Sequence, residues 1–153
     1  MNVGEICTRD VVFVRRETDL VQVAKVMREQ HVGSLVVVED RAEGAVPVGV
    51  VTDRDIVVSV VAAQVDPLKL NAAEVMSGDV LVAHEQDDIV VVAQRMQQKG
   101  VRRMPVVSAA GALVGIVALD DLFAELGDEM QTLVSLFRTE RAREKRARRV
   151  GPA

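Results

Sequence analysis

The sequence predicts a mixed α/β (α+β) fold in which two β-α-β-β-α units are related by a pseudo-twofold axis and followed by a C-terminal helix. Three observations carry this prediction. The chain aligns with itself, each copy alternates strand-like and helix-like apolar spacing in the same order, and valine dominates the apolar set. Of 153 residues, 49% are apolar and only 2% aromatic. The interior must therefore be built from β-branched side chains that suit pleated strands, with Leu, Met and Ala on helices. A chain of this length forms one compact unit or two small halves that share a core.

The repeat is the strongest signal. At a shift of 69 residues, Glu5 falls on Glu74, Asp10 on Asp79, Val11 on Val80, Asp19 on Asp88, Ala24 on Ala93, Met27 on Met96, Val32 on Val101 and Val37-Val38 on Val106-Val107. The shift then becomes 66, so that Val48-Gly49 meets Val114-Gly115, Val51 meets Val117 and Asp55 meets Asp121. A length change confined to one loop is what duplicated folds show.

The elements follow in order. Val11–Val14 reads as a strand, and Thr18 caps a helix on which Leu20, Val23, Ala24 and Met27 recur at helical spacing. Ser34–Glu39 and Val46–Thr52 read as strands joined by the polar Asp40–Gly44 turn, and a second helix starts at Asp53. In the second copy the strands are Val80–Ala83, Arg103–Val107 and Ala112–Val117, with Gly100 placed to stop an Asp88–Lys99 helix. Asp66-Pro67 marks the linker, because proline disfavours helix at the residue before it. The expected divisions are 1–66, 67–127 and 128–153. In the last of these, Met130, Leu133, Val134, Leu136 and Phe137 fit one side of a helix expected to dock on the body, with a frayed end beyond it.

Composition narrows the function classes. The formal charge is −4, but Arg138–Arg149 sums to +5, which leaves −9 on the remainder. An acidic body is ill suited to a nucleic-acid backbone, so any such binding would rest on the tail. The alternative for the tail is a solvated helix or contact with an acidic partner. The longest apolar stretch, Ile56–Val65, is interrupted by Ser59 and Gln64 and is far shorter than the roughly 20 residues of a membrane helix. Cys7 is the only cysteine, and no basic start with an apolar stretch precedes it, so a cytoplasmic protein is expected. Cys7 falls on Met76 in the repeat and reads as a small buried hydrophobe. His31 and His84 lack Cys or His companions at ligand spacing, so no metal is expected. No Ser or Cys has a His in a recognisable motif, there is no Walker loop, and Gly111 and Gly115 make no dinucleotide fingerprint. An enzyme is not expected.

Several segments resemble the tandem cystathionine β-synthase (CBS) domain pair, or Bateman module, over residues 3 to 126. They are His31-Val32-Gly33-Ser34-Leu35-Val36-Val37 followed by Gly49-Val50-Val51-Thr52-Asp53-Arg54-Asp55-Ile56, with echoes in Val101-Arg102-Arg103-Met104-Pro105-Val106-Val107 and Gly115-Ile116-Val117-Ala118-Leu119-Asp120-Asp121-Leu122. The resemblance implies a regulatory module that dimerises into a disc through its helices. It also implies two equivalent clefts, which in many members hold adenosine-containing ligands such as AMP, ADP, ATP or S-adenosylmethionine.

The residues at the strand-to-helix junction suit a nucleotide. Unpaired helix amides favour phosphate there, and Asp55, one turn after Thr52, could accept hydrogen bonds from ribose hydroxyls. Thr52 could bind ribose or phosphate, and Arg54 is a candidate phosphate partner. The resemblance places the base between His31, Val32, Gly33 and Ser34 on one side and Ser77, Val80 and Leu81 on the other. The twin cleft would use Asp120, Asp121, Val101, Arg102 and Arg103 opposite Thr8, Val11 and Val12. Ala118 stands there where a hydroxyl residue is expected. Two other readings stay open: a Thr followed three residues later by an acid is also a helix cap, and Arg102 and Arg103 could be solvated strand ends. The expected function is a homodimeric sensor of an adenine nucleotide acting on an unidentified regulated protein, the alternative being a ligand-free dimerisation or partner-binding scaffold.

Overall fold

The computed structural model describes residues 1–149, so the last four residues of the 128–153 segment lie outside the described residues. In chain order the elements are α1 (Val3–Ile6), β1 (Phe13–Arg15), α2 (Leu20–Gln30), β2 (Ser34–Arg41), β3 (Gly44–Thr52), α3 (Asp53–Ile56) running into a π-helical turn (Val57–Val61), a 3-10 turn (Pro67–Lys69), α4 (Ala72–Val75), β4 (Ala83–His84), α5 (Ile89–Lys99), β5 (Arg103–Val107), β6 (Leu113–Ala118) and α6 (Leu119–Arg149). Two three-stranded sheets result, β1-β2-β3 and β4-β5-β6. In each sheet the first pair is parallel and the second antiparallel, with a register shift at the matched positions Val37/Val38 and Val106/Val107.

The sequence readings hold for β2, β3, β5 and β6 to within a few residues, and three details differ. The first strands start late, at Phe13 and Ala83, and the segments that lead to them, 3–8 and 72–77, cross to the other repeat. Asp19, not Thr18, is the N-cap of α2; the Thr18 hydroxyl instead accepts the Arg15 N–H at 3.1 Å, closing the turn out of β1. The equivalent turn in the second copy uses the Asp87 carboxylate, which accepts the His84 N–H at 3.0 Å. The third difference is a pair of one-turn helices, α1 and α4, each closed by a reciprocal capping box, Asn2 with Glu5 and Asn71 with Glu74.

These short helices are exchanged between the repeats. Val3 and Cys7 pack into the core of the second sheet, with Ala83, Ile89, Val92, Met96, Met104, Val106, Val117 and Leu122. Ala72 packs with Val14, Leu20, Val23, Met27, Leu35, Val37, Val51 and Val60 in the first. The residues that follow add matched hydrogen bonds: Thr8 exchanges both backbone bonds with Ile116, at 2.9 Å each, and Ser77 exchanges both with Val50, at 2.9 and 3.1 Å. Cys7 is thus a buried core residue.

Helices α2 and α5 stop at equivalent positions, 31 and 100, and both caps are left-handed: Gly100 at φ 65° and His31 at φ 54°. Glycine takes that conformation freely, whereas a side chain bears a cost of about 1 kcal/mol. His31→Gly is therefore expected to stabilise the fold by about 0.5 kcal/mol after the extra chain entropy of glycine is subtracted. Thermal unfolding of the pair checks this, and a lower midpoint would contradict it.

Asp87 supplies a pH-dependent contribution. Partial burial alone would raise its pKa, but the His84 backbone N–H and the Arg95 guanidinium outweigh that and hold the carboxyl below its ordinary value. A carboxylate depressed in the folded state stabilises the fold above its unfolded pKa, near 3.9, and that stability is lost as pH falls through the folded value. Asp87→Asn is expected to cost about 1–2 kcal/mol at neutral pH and to flatten the acid limb of the stability profile. Denaturant titrations at pH 3 and pH 7 read both effects.

Helix α6 departs most from expectation. Its first turns pack through Leu119, Leu122 and Leu126, but every residue from 127 to 148 is exposed. The expected docking of the apolar residues after Asp128 onto the body does not occur: Met130, Leu133, Val134, Leu136 and Phe137 are between 43% and 67% exposed. The helix extends through the basic segment to Arg149. Gly127 does not interrupt it, since one interior glycine costs only about 1 kcal/mol.

Candidate functional site

The crossing of Ser77 onto Val50 builds a cleft between the repeats. It has a volume of about 670 Å³, and its walls include Ser34, Val50, Thr52 and Asp55 from the first copy and Ser77, Asp79, Val80 and Leu81 from the second. Lys99, Gly100, Val101, Arg102, Arg103 and Pro105 complete it. Six of the residues assigned to the first site, Ser34, Thr52, Asp55, Ser77, Val80 and Leu81, are thus brought together.

The grouping differs from the expected one at a specific place. Val101, Arg102 and Arg103, assigned by sequence to the twin cleft, line this one, while His31, Val32, Gly33 and Arg54 do not. Strand pairing explains the exchange. Strands β4 and β5 are parallel neighbours, Ala83 opposite Val106, so the segments entering them, Ser77–Leu81 and Lys99–Arg103, run side by side. Both stretches that flank the cleft therefore come from one repeat, and the Thr52–Asp55 corner comes from the other. His31 is the exposed helix cap, Val32 packs on the first core, Arg54 is exposed on α3, and the Gly33 carbonyl accepts the Asp53 N–H at 2.9 Å. Lys99, Gly100, Val50 and Pro105 were missed, and Asp79 falls inside the Ser77–Leu81 stretch expected to flank the base. Asp79 was visible in the repeat as the match to Asp10, and Lys99-Gly100 directly precedes a residue already singled out.

The chemistry of the corner starts with the cap. The Thr52 hydroxyl accepts the Asp55 N–H at 3.0 Å and the Asp55 carboxylate accepts the Thr52 N–H at 2.8 Å, so the capping-box reading of these two residues is realised. The box uses one carboxylate oxygen. The other, Oδ1, has no protein partner among the described residues, and an ionised carboxylate accepts several bonds. The same cleft is lined by the cations Lys99, Arg102 and Arg103, three against the two carboxylates Asp55 and Asp79, with Val80, Leu81, Val101 and Pro105 as apolar surface. The Arg102 guanidinium comes within 3.5 Å of Asp120, but both side chains are 78% exposed, and such a pair holds Arg102 only weakly.

By repeat equivalence the positions that match this lining in the other half are Thr8, Val11, Val12, His31, Val32, Gly33 and Asp121. The Asp121 carboxylate accepts the Ala118 N–H at 3.1 Å, half of the box made at Thr52, since Ala118 has no hydroxyl to return the bond. Arg9, where the other repeat has Gly78, reaches from this side to Glu85 at 2.7 Å and to the Gly4 carbonyl at 2.8 Å. Val12 packs on the first core. Among the described residues no group of three or more His, Cys, Asp or Glu is placed to hold a metal ion, and no helix is long and apolar enough to cross a membrane.

Comparison with known proteins places this geometry. An uncharacterized protein of Methanopyrus kandleri is 35% identical over 122 residues, 80% of this chain, and this chain spans 61% of that protein's length. Hypoxic response protein 1 of Mycobacterium tuberculosis is 33% identical over 128 residues, covering 82% of this chain and 81% of that one. A crystal structure of a hypoxic response protein, holding two coordinated zinc ions, superposes with a TM-score of 0.71 at 31% identity over 81% of this chain and 98% of that chain. A CBS domain pair in complex with 5′-methylthioadenosine and S-adenosylmethionine superposes with a TM-score of 0.70 at 24% identity, over 84% of this chain and 98% of that one, a likeness of fold. The CBS domain model matches residues 3–62 and 72–128, and with two sheets exchanging their opening segments around a shared cleft, the chain belongs to the CBS domain family as a tandem pair.

Proposed function

We propose that this CBS pair is a cytoplasmic, non-enzymatic regulatory module that binds an adenosine-containing nucleotide in the inter-repeat cleft and passes its occupancy to a partner protein. The observation that carries the reading is the cleft itself, whose lining combines the Asp55 carboxylate, one oxygen of which is used by the cap, with three cations and apolar walls. A nucleotide has the matching parts: ribose hydroxyls that donate to a carboxylate, phosphates that attract Arg and Lys, and a flat base that fills apolar surface. The methylthioadenosine and S-adenosylmethionine complex of a protein with the same fold favours an adenosine core. Exposed Val57, Val61, Val90 and Val91 supply the apolar face for a homodimer.

The two repeats meet in this cleft, so a ligand that binds one relative arrangement better than another shifts the population toward it. A thermal-shift screen against AMP, ADP, ATP, S-adenosylmethionine, GTP and NAD tests the reading, because a ligand of the folded state raises the melting temperature. Stabilisation by an adenosine compound is expected. No rise with any of the six would favour a ligand-free scaffold. Within the nucleotides, Arg102→Ala and Arg103→Ala are each expected to weaken ADP or ATP about tenfold or more while weakening adenosine much less, since a charge-assisted hydrogen bond contributes about 1.5–3 kcal/mol. Equal losses for adenosine and ATP would place the phosphates elsewhere.

A further inference from the structure

Helix α6 carries an apolar stripe with a charge pattern that names its own partner. Met130, Leu133, Val134 and Phe137 recur at the spacing of a helix–helix seam, all exposed. Residues 119–129 before them contain five carboxylates, Asp120, Asp121, Glu125, Asp128 and Glu129, and no base. Residues 130–137 contain no charge, and Arg138–Arg149 sums to +5. The helix therefore reads −5, 0, +5 along its length, with the neutral apolar stretch in the middle.

We infer that α6 is a self-recognition element: the helices of two copies pack antiparallel, centred between Leu133 and Val134. A twofold axis at that point lays the apolar stretch on itself and sets each acidic third against the partner copy's basic third. Parallel pairing would set acid on acid and base on base, and like-charge contact across an interface is strongly unfavourable. The first turns leave room for the second helix, since Leu119, Leu122 and Leu126 face the body while Phe123 is 63% exposed on the open side. This contact is separate from the face around Val57 and Val90, and it holds whether or not the cleft takes a nucleotide.

The test measures distances between copies in the full chain. Nitroxide labels are placed at Gln131→Cys or at Ala147→Cys, in a Cys7→Ala background, and read by pulsed dipolar spectroscopy. With a rise of 1.5 Å per residue and helix axes 8–10 Å apart, antiparallel pairing about residues 133 and 134 puts labels at 131 within about 25 Å of each other and labels at 147 about 40 Å apart. Leu133→Asp with Phe137→Asp is expected to abolish the short distance and leave the thermal midpoint of the body unchanged, because neither side chain touches it. Short distances at both positions would mean parallel pairing and overturn the proposal. Absence of an intermolecular signal at 131 would also overturn it, and a salt-sensitive complex with duplex DNA in that case would assign the basic end to nucleic acid instead.

Discussion

Gly49→Val is expected to lower the stability of the protein by about 2–3 kcal/mol, the cost of forcing bulk into a packed interior. A Cβ at this position would sit 2.4 Å from the Met76 sulfur and 2.8 Å from the Ser77 carbonyl oxygen. The Met76 side chain can swing aside. Ser77 cannot, because its backbone is bonded in both directions to Val50, so the added carbon must push the crossing segment off the sheet. That segment is a wall of the cleft, and nucleotide affinity should fall with stability. Gly115 is the equivalent position, where a Cβ would meet the Cys7 sulfur at 2.6 Å and the Thr8 carbonyl at 3.1 Å. Gly78→Ala is the control, since nothing lies within 4 Å of its Cβ, and it should be nearly neutral. Denaturant unfolding reads all three; a wild-type midpoint for Gly49→Val would mean that the exchange is not tightly packed.

The second large effect concerns Asp55. Asp55→Ala removes the carboxylate that the proposed function assigns to ribose, and nucleotide affinity is expected to fall by about 1.5–3 kcal/mol, or roughly ten- to a hundredfold. The same change opens the capping box at Thr52, with a separate stability cost of about 1 kcal/mol. Asp55→Asn separates the two effects. Its side-chain oxygen still accepts the Thr52 N–H, so stability should be largely retained, while the charge that strengthens hydrogen bonds from the hydroxyls is gone. Calorimetric titration together with thermal unfolding gives both numbers for each variant. Unchanged affinity in Asp55→Ala would move the ribose away from this corner.

What could be read from the sequence was local or repeated. Valine-rich alternation marks β2, β3, β5 and β6, and Gly100 stops α5 because only a left-handed residue fits there. The Thr52–Asp55 junction was visible as a spacing, although that spacing serves the cap as well as a ligand. The exchange of α1 and α4 was not legible. Each is one turn long, too short for a period, and its pairing with the sheet of the other repeat leaves no local mark beyond the Asn-x-x-Glu caps. Missing that exchange led directly to the misassigned walls, since Val101–Arg103 reaches the Thr52 corner only because Ser77 crosses over. The tail was misread for a different reason: an apolar helical side announces that something covers it, and not what.

The exchanged opening segments also govern how the molecule comes apart. Severed at the linker near Asp66-Pro67, each half would lose the one-turn helix that closes its own core and keep one made for the other. Fragments 1–66 and 67–149 should each be poorly folded alone and should reconstitute on mixing, as complementing pieces do. In the intact chain the same interlock is expected to couple the two halves in a single melting transition, so a ligand held at the Thr52 corner would stabilise both at once.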